Sequence, residues 1–434
     1  MTTWTFPPRE SPAALPLQNV GESSLPTVRL KSPPRRSVRP GCWATVCALL
    51  LLIIAELPPA LTASNIIGEA QISIDTVLPV VTKDATCVDW AAWIPPRSEP
   101  AIVMQVVSQA YIPIQQNFIR LMERNSAFNR HNLFLMCMDD ASIAFFEEQM
   151  GITCVPMSSL HLPSHRDIWK LRVHVLSCLV RVGRVDVIMS DADALWVNDP
   201  AAELFNSRNS GRDGDHNSRS GGNGRMLSAS DAFGQSGDGA WRQEQSAGGS
   251  NWLDIRDSDV VASRGSYPRI LGKEWGATMC MGFVLFRAGN VASMATFLSF
   301  MEDLVMKTGD DQVSVNTAAS KLGVVWDEDG DMRYEESTRY GVGHIPANSI
   351  TAAAAAGYGA NSSGGTGVAF EDGHEEVRPL TVTLLPHNTY TRICDQSPIS
   401  DRTVVAHCYD PAKVASVKTF WMESMNLWSV ENDP

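Results

Sequence analysis

Apolar residues recur in short blocks separated by stretches of helical spacing. Ala101–Val107 is an apolar run that reads as a buried strand, and Ile114–Met122 follows with helical period. Asn132–Met138 is a second strand ending at Asp139-Asp140, and the helical pattern Ile143–Met150 stops at Gly151. A further helix is expected over Ile168–Val182, closed by Gly183, and it leads into the apolar run Val185–Met189. Thr278–Arg287, which contains Gly282, reads as a strand before a helix at Val291–Met306. Leu380–Leu385 and Thr403–Ala406 are the last strand signals, the latter ending at His407. Strands alternating with helices predict an α/β domain with a mostly parallel central sheet and flanking helices. Ligands in such sheets bind beyond the carboxyl ends of the strands.

The pattern breaks in four places. Residues 1–41 hold eight prolines and six basic against two acidic residues, a composition that reads as a disordered basic tail. Cys42–Ala55 is almost wholly apolar but short of the roughly 20 residues that span a bilayer. Extending it to Ala63 brings in Glu56 and Pro58-Pro59. Residues 42–63 are therefore expected to be a signal anchor or a cleaved signal peptide. The first places a single-pass type II protein in the Golgi or ER membrane with its bulk in the lumen, and the second secretes it. Residues 64–98 read as a stem and 99–434 as one domain. Two low-complexity insertions interrupt that domain: 206–250, with ten glycines and nine serines, and 352–377, with five consecutive alanines. The Asn361 sequon lies in the second.

A net charge of −13 argues against a nucleic-acid scaffold, and no basic cluster occurs beyond the tail. The nine cysteines lack Cys-x-x-Cys spacing, which disfavours a zinc site. Seven lie beyond the apolar segment, so in a lumenal setting at least one would remain a thiol. Their pairing cannot be deduced from spacing.

Chemistry concentrates in Val185–Pro200. The apolar run meets Asp191-Ala-Asp193, two carboxylates at a strand end, where an unpaired buried charge is costly. A hard divalent cation is one counter-charge, and it leaves coordination sites for substrate phosphates. A solvated acidic turn is the alternative.

Ser190-Asp-Ala-Asp-Ala-Leu-Trp196 with Asp199-Pro200, then Met281-Gly-Phe-Val-Leu-Phe-Arg287, then Asp311-Gln312 with Asn316 occur in this order. The combination resembles the nucleotide-diphospho-sugar transferases of glycosyltransferase family 77, and more distantly the glycogenin-like family 8, over roughly residues 100–420. The resemblance implies a GT-A fold and retaining transfer from a nucleotide sugar, most simply UDP-linked, to a glycan or glycoprotein acceptor. It implies a Mn²⁺ or Mg²⁺ ion held by Asp193 and Asp191, Asp191 also facing the ribose, with His407 as the third ligand. Lys413, six residues after His407, would touch the diphosphate, although Asp410 stands where family 8 has glycine.

Other roles transfer with a structural alternative beside each. Lys170 would lie near the donor or on a solvated helix face. Tyr111 would stack on the base or pack in the core. Gly282 would admit the sugar or mark a strand bulge. Asp311 and Gln312 would contact the sugar or acceptor, with Asp310 or Asp311 otherwise a helix N-cap. Asp231 and Asp259 compete for the family's second acidic position, and spacing favours Asp259. No nucleophile is evident, and a front-face mechanism needs none. A silent glycan-binding relative and a nucleotidyl or phosphoryl transferase are the rival readings, the latter without a Walker-type loop.

Overall fold

A computed structural model describes residues 82, 85–95, 100–160, 162, 164–205, 255–328, 330, 332–334, 337–358, 377–391, 399–408 and 414–430. These belong to the second of two units into which the chain divides, Val77–Pro434. The tail, residues 42–63, most of both insertions, Asp231, Asn361, Asp410 and Lys413 lie outside the described residues.

The strands β1 (Ile102–Val107), β2 (Leu133–Cys137), β3 (Cys154–Pro156) and β4 (Val187–Ser190) are mutually parallel. The sheet continues through β7 (Thr278–Phe286), β6 (Val260–Gly265), β10 (Leu380–Leu384), β9 (Gly341–Ile345) and β8 (Val325–Trp326) in the order β3-β2-β1-β4-β7-β6-β10-β9-β8. β7 runs antiparallel to both its neighbours and β9 to both of its own, while β6 and β10 are parallel. Seven of the nine strands therefore point the same way, as the alternation of elements predicts.

Burial on both faces explains why the central strands read as continuous apolar runs. Ile102, Met104 and Met189 turn to one face, with Leu176 of the helix His165–Arg181 and Phe297 of the helix Val291–Thr308. Val103, Ile188 and Phe283 turn to the other, with Phe118 of the helix Ile112–Asn125 and Trp196. Trp196 belongs to a second, three-stranded sheet in the order β11-β12-β5, made of Tyr390–Thr391, Val405–His407 and Ala194–Trp196.

Two expectations change at the edges of the domain. Part of the expected stem folds onto it: Cys87–Ala91 is helical, Trp90 is buried, and Cys87 is bonded to Cys178. The helix Ala347–Ala355 takes in the first alanines of the expected 352–377 insertion. A second disulfide joins Cys137 to Cys154. The expected membrane placement is corrected. Among the described residues no helix is long and apolar enough to cross a membrane. The fourteen-residue apolar run is itself too short, and Glu56 and the Pro58-Pro59 pair interrupt its extension.

Candidate metal centre and cleft

Strand β4 ends at Ser190, and the chain turns at once. The Asp191 amide donates to Gly282 O at 2.9 Å, and the Ala194 amide returns to Asp191 O at 2.9 Å. This turn launches β5, whose antiparallel register with β12 sets Ala194 opposite His407. The Cys408 amide continues that ladder to Asp193 O at 2.8 Å. Strand pairing, rather than sequence proximity, thus brings His407 to the carboxylates. Its Nε2 lies 3.6 Å from Asp193 Oδ1 and 3.8 Å from Asp191 Oδ2. One ligand atom from each of Asp191, Asp193 and His407 lies within 4.8 Å of the others, a set that could hold a metal ion. Two carboxylates and an imidazole suit Mn²⁺, and the carboxylates alone suit Mg²⁺. The other such cluster among the described residues, Cys87, His174 and Cys178, is committed to a disulfide.

The floor of the site is β7. Its pairing with β6 slips between Ala262 and Ser263, skipping Met281–Phe283, so Gly282 does sit in a bulge. It is also a close approach, because a Cβ there would meet His407 Cε1 at 2.1 Å. The thiol of Cys280 lies 3.7 Å from His407 Nδ1.

Two cations converge on the carboxylates. Arg172 donates from Nη1 to Asp191 at 2.6 Å and from Nε to Asp311 at 2.8 Å, with Nη2 also on Asp311. Lys418 donates from Nζ to Asp193 Oδ2, with its ammonium 5.5 Å from the Tyr111 ring centre. Burial acts to raise the Asp191 carboxyl, but Arg172, His407 and Lys418 outweigh it and hold it below the ordinary value. Asp311 goes the other way: burial lifts it even beside Arg172. Burial disfavours a charged His407, yet Asp193, Cys280 and Asp191 together outweigh it and the imidazole is raised. Lys418 is raised too, with Asp193, Tyr111 and Asp191 together outweighing burial.

These groups line one cleft of about 480 Å³ together with Tyr111, Gly282 and Gln312. Along the strand order it runs from Ser108 and Tyr111 after β1, past Asp191 after β4, to Tyr267 after β6. Asp310 is the N-cap of the helix Asp311–Lys321, accepting from the Val313 amide at 2.8 Å, which leaves the Asp311 side chain to Arg172. Gln312 Nε2 donates to Tyr267 O at 2.8 Å. Asn316 brackets Met279, accepting from its amide at 2.8 Å and donating to its carbonyl at 2.9 Å.

Two expected residues fall elsewhere. Lys170 pairs with Asp167 at 3.5 Å and does not line the cleft. Two residues turn a helix by about 200°, so Arg172 and Lys170 occupy opposite faces. Asp259 precedes β6, level with Asp186 at the amino-terminal edge of the sheet, and binds the Thr381 amide at 2.8 Å. The sequence reading missed Arg172 and Lys418. Helix phase was the available signal for Arg172, whereas nothing in the pattern marks Lys418.

No protein-family model matches the chain, nor does any curated protein. Among solved structures, the glycosyltransferase GlyE of Streptococcus pneumoniae TIGR4 is similar over 75% of this chain, at 14% identity and a TM-score of 0.29. Its apo form gives the same figures. The chain spans 62% of the length of those proteins. So loose a likeness adds nothing to the fold read from the strand order, and the site stands on its own geometry.

Proposed function

We propose that this chain is a metal-dependent glycosyltransferase that moves a sugar from a nucleotide sugar, most simply UDP-linked, to a hydroxyl of a glycan or protein. The supporting observation is the convergence of Asp191, Asp193 and His407 at the carboxyl edge of a mostly parallel sheet, over a cleft bordered by two cations. The three would hold Mn²⁺ or Mg²⁺. Such an ion, when bound, neutralises the charge that builds on a leaving nucleoside diphosphate. Arg172 orients Asp191 and fixes Asp311, so Asp311 contributes position and charge rather than a ready base. Tyr111, after β1, is set to cover the base. Gly282 keeps the floor low, and Asp311 and Gln312 border the end left for the sugar and acceptor. Among the described residues every carboxylate lining the cleft is already engaged, Asp191 and Asp311 by Arg172, Asp193 by Lys418 and Asp310 as a helix N-cap, so front-face transfer with retention is the favoured course.

A second reading has one observation in its favour. Lys418 already compensates Asp193, as it would in a catalytically silent relative that binds glycans without metal. Incubating the purified full chain with a panel of nucleotide sugars and Mn²⁺, and measuring released nucleoside diphosphate, separates the two. Transferase chemistry predicts metal-dependent release that Asp193→Asn abolishes. Release that survives that substitution would sink the assignment, and absence of both release and Mn²⁺-dependent UDP binding would favour the silent relative.

A further inference from the structure

We propose that Lys418 is the resident counter-ion of the metal centre, so that a divalent cation binds well only when a diphosphate draws the ammonium away. The inference rests on the metal-site reading above and concerns the order in which that site fills.

Lys418 stands on the helix Ala415–Ser424, is only 8% exposed, and sets its ammonium on Asp193 Oδ2. The other oxygen, Oδ1, faces His407. The ammonium therefore holds a carboxylate that a metal would need. Charge bookkeeping extends the point. Asp191, Asp193 and Asp311 face the guanidinium of Arg172 and the ammonium of Lys418, so most of the cluster's negative charge is compensated with nothing bound. A divalent cation entering beside Lys418 would meet a like charge across a shared carboxylate in a poorly solvated pocket, where repulsion is strong.

The two cations are not equally able to yield. Arg172 spreads its fork over two carboxylates, Asp191 and Asp311, an arrangement that fixes it. Lys418 grips a single oxygen as a point charge on a flexible four-carbon stem. Its ammonium already lies near Tyr111, on the side of the cleft where the nucleotide would enter. A diphosphate arriving there offers new acceptors, and Asp193 is released to the metal. Because coupling between two ligands is reciprocal, the metal must strengthen diphosphate binding by the same factor.

Calorimetric titration of the full chain with Mn²⁺ alone, UDP alone and Mn²⁺ in the presence of UDP tests this, in the wild type and in Lys418→Met. For the wild type, UDP should tighten Mn²⁺ binding roughly 5- to 150-fold, the usual span of coupling between sites. In Lys418→Met, Mn²⁺ alone should bind tighter by a comparable factor, and the coupling should fall to the part that direct contact between metal and diphosphate supplies. Lys418→Gln serves if the methionine variant does not fold, which its melting curve shows. Unchanged Mn²⁺ affinity, or undiminished coupling, in the folded variant overturns the counter-ion role while leaving the metal site standing. Absence of Mn²⁺ binding from wild type and variant alike overturns the metal site itself. Binding confined to the variant supports the counter-ion role in its strongest form.

Discussion

Gly282→Ala probes the centre without touching a charged group. The Gly282 backbone lies outside the left-handed region, so the effect of the substitution is steric. The added methyl would stand 2.1 Å from His407 Cε1, 2.5 Å from Nδ1 and 2.8 Å from Nε2. Ordinary carbon contacts begin near 3.5 Å, so the ring would have to retreat by about 1.4 Å. It has little room, because it is 7% exposed and hemmed in by Cys280 at 3.7 Å and Asp193 at 3.6 Å. Overpacking of this kind costs about 1–3 kcal/mol of stability. Metal–ligand distances tolerate only about 0.2 Å of error, so His407 would cease to serve as a ligand. The expected loss of Mn²⁺ affinity is at least the roughly 10–100-fold seen when outer-shell partners are removed.

A double-mutant cycle with His407→Ala identifies the cause. With the ring gone, the methyl meets open space, and Gly282→Ala should cost little in either melting temperature or Mn²⁺ affinity. The coupling between the two changes should fall within the 0.5–3 kcal/mol, roughly, measured for residues in contact. Calorimetric Mn²⁺ titration and chemical denaturation supply the four corners. Wild-type Mn²⁺ affinity in Gly282→Ala, or an equal penalty with and without the imidazole, would refute the reasoning.

Arg172→Met strands two carboxylates on one side of the cleft. Asp311 is the more buried, at 7% side-chain exposure, while solvent screens Asp191 at 35%. The expected destabilisation is therefore at the low end of the range for breaking a buried pair, about 3 kcal/mol. Denaturant unfolding checks it, and a change below about 1 kcal/mol would mean that the fork is not a structural tie. Glu203 offers a pH prediction away from the site. Burial raises its carboxyl above 4.5 despite hydrogen bonds from Tyr340 and Tyr390. A raised folded value favours the neutral acid, so its contribution is full below 4.5 and is lost as pH rises through the folded value. Stability of the wild type minus that of Glu203→Gln should accordingly fall as pH rises above 4.5 and level off once the folded value is passed. A difference that stays flat with pH would count against a buried, strained carboxylate.

What the sequence made legible follows from local physics. β1, β2, β4 and β7 are buried on both faces, so their apolar runs stand out from the helices around them. The edge strand Val325–Trp326 and its neighbour Gly341–Ile345 carry too few apolar residues to announce themselves, and Ala194–Trp196 is hidden in the tail of the acidic motif. Asp191 and Asp193 were visible because paired acids at a strand end are unusual chemistry. Lys418 was not, since a lysine on a short helix looks the same whether it faces water or Asp193. Arg172 lay within the segment that drew attention to Lys170. Its phase with Leu176 and Leu179, four and seven residues on, was the mark that Arg172 rather than Lys170 lies on the packed side of that helix.

The remaining dependence is on the reversed strand. β4 ends at Ser190, opposite Phe283, whereas β7 begins five residues earlier, at Thr278. Residues 278–282 thus overhang the end of β4 and form a floor that a parallel strand of matched length would not provide. An overhang exposes backbone polar groups on the side where β4 has stopped, and buried groups of that kind must be paired. The Asp191 amide takes Gly282 O, and the side-chain amide of Asn316 takes both polar groups of Met279, acting as a one-residue strand. That bond fastens the helix Asp311–Lys321 to the floor, which in turn delivers Asp311 to Arg172 and Gln312 to the cleft. The acidic pair, the arginine fork and the glycine beneath His407 are therefore consequences of one local event, the ending of β4 before β7.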